Sequence, residues 1–349
     1  MVNGVIIIKK EKGYTSHDVV ASLRGIIGQK KIGHTGTLDP MATGVLPVCL
    51  GNATKLCDFL TDESKEYETL MHLGLVSDTQ DITGKILYNS TSREVDINNK
   101  NEGSEIDDLY DMSKYSRSGV DITLPEFEEA VSHFTGNIMQ TPPMYSAKKV
   151  NGKKLYELAR EGKVVERKER PIEIFDIKIE NFNPPYARLI VNCSKGTYIR
   201  TLCHDIGTYL KCGAVMETLE RTRVGRFYLS EAYELSEVKE LKEEGRLSHA
   251  VLKTDFFFLD HPAVHVKKDS MKLLLNGNKF SKEDIYENKE PHEVINPNTG
   301  ERDFCIHDLL PGETKPRVRV YDSEEVFYGI YEYEHDSGIF KPVQMFMPM

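Results

Sequence analysis

Between positions 33 and 48 the chain reads Gly-His-Thr-Gly-Thr-Leu-Asp-Pro-Met-Ala-Thr-Gly-Val-Leu-Pro-Val. One carboxylate (Asp39), one imidazole (His34), three threonines and three glycines are thus packed into a single short stretch. A carboxylate can attack an electrophilic carbon or move a proton. Glycines let a backbone approach a ligand closely, and Pro40 restricts Asp39 to extended geometry. The expected result is an aspartate held in a fixed pose at the mouth of a sheet. A turn aspartate bonding its own backbone is the competing reading of the same residues. The stretch is not a phosphate-binding loop of the Gly-Lys-Ser/Thr kind, and Asp39 has no adjacent Ser-His or Cys-His pairing for a hydrolase triad.

The neighbouring segments supply elements to position it. Gly4 to Ile8 reads as a buried strand, followed by the polar loop Lys9 to Gly13. Thr15 and Asp18 fit a helix cap, and Val19, Val20, Leu23, Ile26 and Ile27 then recur at helical spacing. The glycines and proline within 33–44 exclude a regular element there. Val45 to Leu50 and Tyr67 to Leu73 read as further strands. Thr123 and Glu126 can close a capping box, with Pro125 in the first turn. Leu189 to Cys193 reads as a strand, and Ile199, Leu202, Cys203, Ile206 and Leu210 mark the buried face of the next helix. Ser236 to Arg246 reads as a charged surface helix. Beyond Leu252 short β-rich segments (His261 to Val266, Arg317 to Tyr321, Val326 to Tyr333) suggest a small barrel. Strands and helices mix without a βαβ rhythm before residue 235, which points to an α+β catalytic domain. Residues 88–122, rich in Ser, Asn and Asp, read as a solvated insertion or flexible loop.

The 349 residues, 39% hydrophobic and 29% charged, are ordinary for a globular protein and leave room for two domains. No apolar run is long enough for a membrane helix, and the first residues lack a signal-peptide pattern; a cytoplasmic protein is expected. Six cysteines without a C-x-x-C pair read as reduced, mostly buried thiols. A net charge of −10 argues against nucleic acid at first, but the charge is unevenly spread. Only residues 125–230 carry more basic than acidic groups (17 against 13), and 148–170 carry 9 against 4. Residues 231–349 carry 15 basic against 24 acidic groups. Any basic footprint is therefore local.

The 33–47 segment closely resembles the catalytic motif of the bacterial tRNA pseudouridine-55 synthases, the TruB family, with pattern G-H-x-G-x-L-D-P-x-A-x-G-x-L-P. The resemblance continues through Lys65-Glu66-Tyr67 with Leu73-Gly74, and through Pro142 to Lys149. It takes in Gly152 to Glu157 and then Cys193 to Leu202. Five separated motifs in the family's order cover roughly residues 4–230. The fold so implied is a pseudouridine synthase catalytic domain (1–235) with a mixed, mainly antiparallel central sheet. An RNA-gripping insertion at 125–170 and a small, β-rich PUA-like domain at 252–349 complete it.

By the same resemblance Asp39 is the nucleophile in a reaction that frees uracil from ribose, turns it, and rejoins it through C5. Neither cofactor nor metal is implied. Arg200 matches the arginine that pairs with the aspartate; a guanidinium fork can hold a carboxylate with two hydrogen bonds. A cation at a helix start is unfavourable unless paired, which supports that match. Tyr67 matches the active-site tyrosine, its ring able to stack on the displaced base and its hydroxyl able to move a proton. His34 matches the histidine that fills the space left by the flipped nucleotide. Lys10 and Tyr198 fall on pocket-lining positions. Lys148, Lys149, Lys153 and Lys154 lie in the region that grips the T-arm of tRNA, where cations supply salt-dependent attraction. One departure is Glu11 after Lys10, where the family commonly has proline. The implied protein is a monomer with no obligatory protein partner. Two alternatives share the scaffold. A guide-RNA-dependent synthase generally lacks the insertion carrying Pro142 to Lys149, and a non-catalytic RNA-folding factor has no need for Asp39, Tyr67 and Arg200 together.

Overall fold

The computed structural model describes residues 1–90, 110–150, 152–286 and 316–347. In chain order, β1 (Gly4–Lys10) leads to α1 (Ser16–Ile27), β2 (Ile32–His34), β3 (Thr43–Leu50), α2 (Cys57–Thr61), β4 (Lys65–Leu73), β5 (Leu75–Ser77) and β6 (Ile86–Asn89). Then come α3 (Leu124–His133), β7 (Gly136–Gln140), β8 (Lys149–Val150), β9 (Lys153–Lys154), α4 (Leu155–Arg160), β10 (Arg170–Asn183) and β11 (Tyr186–Cys193). The catalytic body closes with α5 (Ile199–Tyr209), β12 (Ala214–Val224), β13 (Phe227–Tyr228), α6 (Leu235–Glu243) and β14 (Val251–Leu252). After it follow β15 (Ala263–His265), α7 (Met271–Leu275), β16 (Phe280–Ser281), β17 (Arg317–Tyr321), β18 (Phe327–Glu334) and β19 (Ile339–Met345).

A 10-stranded sheet runs β14-β1-β3-β12-β4-β11-β10-β7, with β2 on β3 and β13 on β12. Its one parallel pair is β3 with β12; the rest are antiparallel, giving the mixed, mainly antiparallel sheet expected. The periodic elements form where their residues point. Thr15 accepts a hydrogen bond from the Asp18 backbone N–H while the Asp18 carboxylate accepts from Thr15 N, closing a capping box on α1. Val19, Val20, Leu23 and Ile27 then pack with Ile6, Ile8, Leu46 and Val48. The Thr123–Glu126 box starts α3 in the same way. Along β4, Lys65, Tyr67, Thr69, Met71 and Leu73 all turn inward, the alternation of a strand with one buried face. The largest core gathers Tyr67, Met71, Phe127, Leu189, Val191, Ile199, Leu202 and Ile206 around α3, α5 and the centre of the sheet.

Three features differ from the sequence reading. Both ends of 33–44 are regular: Gly33 and His34 pair with Cys49 and Val48, and Thr43 and Gly44 begin β3, so the irregular loop runs only from Thr35 to Ala42. Residues 110–122 are solvated only in part, because aromatic groups anchor them to the body. Tyr110 lies edge-on to His204, Tyr115 stacks on Tyr88, and Tyr115 and Ile122 are buried. Positions 91–109 of the expected loop lie outside the described residues. β10 and β12 are two further strands that the sequence reading leaves unassigned.

The C-terminal strands form a 5-stranded sheet, β15-β17-β18-β19-β16, around Val264, Val318, Val320, Tyr331 and Phe340. This β-rich unit docks on the catalytic body. Phe257 and Phe346 pack with Val5, Ile7 and Leu56, and Asn52 Nδ2 donates to the Phe346 carbonyl at 2.8 Å. Helix α6 packs on α1, and β14 still pairs with β1. Four of the cysteines (49, 193, 203, 212) are buried and free, and Cys57 is half-buried. Cys305 lies outside the described residues.

Candidate active site

The loop from Thr35 to Ala42 is pinned from both sides. Leu38 N–H donates to Ser16 Oγ at 2.9 Å, Gly13 N–H to the Pro40 carbonyl at 2.8 Å, and Ala42 N–H to the Asp39 carbonyl at 3.0 Å. Lys10 is fully buried below the loop, and its ammonium donates to the carbonyls of Glu11, Tyr14 and Pro40. Burial first, then Arg221, pushes its pKa down to about 8 against the opposing pull of Asp39. The three donors of Lys10 thus clasp backbone around the loop.

Loop and sheet meet at Gly44. Its φ is +106°, and a Cβ there would lie 2.2 Å from the Arg221 carbonyl oxygen across the parallel β3–β12 pair. Gly44→Ala is therefore expected to cost at least about 3 kcal/mol. Thermal unfolding checks this, and an unchanged melting temperature would contradict it.

Asp39, with its side chain 36% exposed, faces out of the loop toward Arg200. Arg200 is the second residue of α5 and is buried, its side chain 4% exposed. Its Nε lies 2.9 Å from Asp39 Oδ2. The two-bond grip on Asp39 that a guanidinium fork allows is not what forms. Arg200 Nη1 donates to the Thr79 carbonyl (3.1 Å) and lies 3.6 Å from Asp81 Oδ2, and Nη2 donates to the Tyr145 carbonyl (2.9 Å). The fork is shared because a cation buried at a helix start needs several acceptors, and one half-exposed carboxylate cannot supply them. Asp81 is itself buried and also accepts from Thr79 Oγ1 and Thr83 N–H, both at 2.9 Å. Asp39 and Asp81 thus flank one arginine.

Tyr67 is buried on β4, opposite Val191 of β11 and Arg221 of β12. Burial raises its hydroxyl pKa; Arg221 lowers it, and Asp39 is near enough to raise it. His34 ends β2, edge-on to His17 with ring centroids 5.2 Å apart. Burial, then His17, lowers its pKa, and its Nδ1 is buried without a hydrogen-bond partner. The imidazole is therefore neutral at physiological pH. Tyr198 caps α5, and buried Gln140 clamps its backbone: Tyr198 N–H donates to Gln140 Oε1 (2.9 Å), and Gln140 Nε2 donates to the Tyr198 carbonyl (3.1 Å). Asp39, Arg200, Tyr67, His34 and Lys10 thus gather around one loop. Sequence reasoning missed Asp81, Gln140 and Arg221. The Asp78-Thr79-Gln80-Asp81-Ile82-Thr83-Gly84 turn was a usable signal for the first; the other two carry none locally.

Lys148, Lys149, Lys153 and Lys154 lie elsewhere, on a small unit with its own core of Met144, Leu155 and Ala159. Lys149 and Lys154 pair across the β8–β9 hairpin. Lys154 Nζ sits 5.3 Å from the Tyr156 ring centroid, and Lys153 lies 3.7 Å from Glu161. Tyr145 ties this unit to the site through its carbonyl on Arg200. Among the described residues no group of three His, Cys, Asp or Glu is placed to hold a metal ion. No helix among them is long and apolar enough to cross a membrane.

The same fold occurs in a chain of a Cbf5-Nop10-Gar1 complex, with TM-score 0.60 and 23% identity, covering 99% of this chain and 85% of that one. A chain of an H/ACA RNP bound to a substrate RNA containing 2'-deoxyuridine superposes with TM-score 0.59 at 21% identity, over 99% of this chain and 85% of that one. The model of the TruB family pseudouridylate synthase N-terminal domain matches residues 24–108 and 100–199, and that of the tRNA pseudouridylate synthase B C-terminal domain matches 200–257. The chain is 44% identical to the tRNA pseudouridine synthase B of Lachnoclostridium phytofermentans over 99% of this chain and 100% of that protein. It is 38% identical to that of Staphylococcus aureus, over 91% and 99% respectively. The chain belongs to the TruB family of pseudouridine synthases.

Proposed function

We propose that this protein isomerises uridine 55 in the T-loop of tRNA to pseudouridine, acting on RNA without a guide. The observation that carries the reading is the exposed Asp39 carboxylate held 2.9 Å from a buried arginine on the loop shared with the family. Chemistry at a stacked base requires its extrusion. The neutral His34 is suited to fill the vacated space, and Tyr67 to stack on the flipped uracil. Asp39 stabilises or attacks C1′ while the base is free. The glycosidic C1′–N1 bond breaks, C1′–C5 forms, and the C5 proton leaves for solvent, with no net oxidation or hydrolysis.

The unit bearing Lys148, Lys149, Lys153 and Lys154 grips the T-arm, Lys10 and Tyr198 shape the pocket around the nucleotide, and the acidic C-terminal β unit positions the body of the tRNA. The enzyme works as a monomer in the cytoplasm, without cofactor or metal. The decisive assay incubates the protein with unmodified tRNA transcript tritiated at uracil C5, with no guide RNA. Tritium release supports the reading; its absence at any enzyme concentration refutes it. In the same assay Lys148→Glu/Lys149→Glu should weaken tRNA binding by one to two orders of magnitude and lower the slope of log K against log salt by about 1 per lost phosphate contact. An unchanged slope would move the RNA site elsewhere.

A further inference from the structure

Arg221 is among the most buried side chains of the chain, 1% exposed, and it lies under the catalytic loop. It enters from the middle strand of the sheet, paired on one side with Gly44 of the loop's exit strand and on the other with Tyr67. Its Nε donates to the Val45 carbonyl at 2.7 Å, which fixes the plane of the guanidinium. Nη1 lies beneath Gly36 of the loop, 3.9 Å from where a Cβ would be. Nη2 is buried with no hydrogen-bond partner among the described residues. A buried guanidinium with an uncommitted nitrogen is costly, and Arg221 is not ion-paired as Arg200 is. The cation also faces Lys10 of β1, Lys65 of β4 and His34, which it disfavours as cations. Purely as structure the arrangement is unfavourable; it becomes useful when negative charge appears nearby.

The group placed to carry that charge is the Tyr67 hydroxyl. Burial, Cys193 of β11 and Asp39 of the loop all oppose its ionisation, and Arg221 is the neighbouring group that favours it. We propose that Arg221 is a positioning residue for Tyr67, its guanidinium stabilising the phenolate oxygen that takes the C5 proton from the rejoined uracil. In this step the C5–H bond breaks and its electron pair becomes the C5=C6 double bond. The C6=N1 pair passes to N1, which takes a proton from solvent, and Tyr67 passes the C5 proton to solvent.

The inference rests on the isomerase reading, so wild type is the reference: if it makes no pseudouridine, that reading fails by itself. The test measures single-turnover pseudouridine formation from about pH 6 to pH 9 for wild type, Arg221→Lys and Arg221→Met. Each carries at position 67 either tyrosine or the more acidic 3-fluorotyrosine, and tRNA affinity and melting temperature are followed in parallel. Arg221→Met should displace the rising limb of the rate profile to higher pH, a loss of at least about tenfold at a given pH, since one pKa unit is a tenfold change in phenolate. Arg221→Lys should recover part of it, and 3-fluorotyrosine, being more acidic, should raise the rate and restore much of what Arg221→Met loses, with tRNA affinity unchanged. A rate in Arg221→Met that 3-fluorotyrosine does not raise, a loss of tRNA affinity that accounts for the rate loss, or unfolding of both variants would each show a structural residue only and overturn the proposal.

Discussion

Asp39→Asn is expected to abolish pseudouridine formation while leaving the protein folded. Removing the nucleophile of a covalent catalyst costs at least about 10^4-fold, some 5 kcal/mol of barrier. Asparagine is isosteric and keeps the turn, whose Ala42 N–H bonds the backbone carbonyl of residue 39, not its side chain. The side chain is 36% exposed and belongs to no packed cluster, so the melting temperature should move little. Arg200 keeps Asp81 and two carbonyls as partners in this variant. Measured rate, tRNA affinity and unfolding together check the assignment. Substantial residual turnover by a folded Asp39→Asn protein would remove Asp39 from the chemistry.

Arg200→Met should instead lose both activity and stability, and the pairing of the two losses is diagnostic. The side chain is 4% exposed and satisfies Asp39, Asp81, the Thr79 carbonyl and the Tyr145 carbonyl at once. Methionine fills much of the volume but leaves Asp81 buried with only Thr79 and Thr83 as donors. Breaking a buried charge pair from one side costs about 3–5 kcal/mol. For a chain of this size that lowers the melting temperature by about 10 °C. Turnover should fall by about 10^3-fold or more, because Asp39 loses the cation that orients it. tRNA binding, which the proposed function assigns mainly to Lys148, Lys149, Lys153 and Lys154, should persist. Arg200→Lys should recover little, since a single ammonium cannot reach four acceptors spread over a planar fork. Full turnover in Arg200→Met would contradict the shared-arginine arrangement.

What the sequence exposed and what it hid divide along a physical line. Features written in adjacent residues were legible: the capping boxes at Thr15 and Thr123, the alternation of β4, the buried face of α5, and the glycine-rich loop around Asp39. The resemblance singled out Lys10, but its use of all three donors on backbone carbonyls depends on where Tyr14 and Pro40 fold. In β10 the alternation of Ile172, Ile174, Ile177 and Ile179 with Glu173, Lys178 and Glu180 is itself a strand signal that the sequence reading leaves unused, whereas in β12 Glu217, Glu220 and Arg223 interrupt the apolar positions. With β12 unseen, Arg221 was one more arginine in a charged run. Its burial arises only when β12 inserts between β3 and β4, bringing it to Val45 across 176 residues of sequence. Asp81 had a local signal in its Asp78 to Gly84 turn, but its pairing with Arg200, more than a hundred residues on, appears only in the fold. Charge counting located the basic unit correctly in the chain but could not show that it has its own small core, joined to the site through Tyr145.

The central claim is that this chain alone converts one particular uridine, and position-resolved mapping of pseudouridine tests it most directly. An unmodified tRNA transcript is incubated with purified protein and no guide RNA, then sequenced after a chemistry that marks pseudouridine. The account predicts a single new pseudouridine at position 55, formed by wild type and not by Asp39→Asn. Modification at other positions only, or none until a guide RNA is supplied, would contradict it.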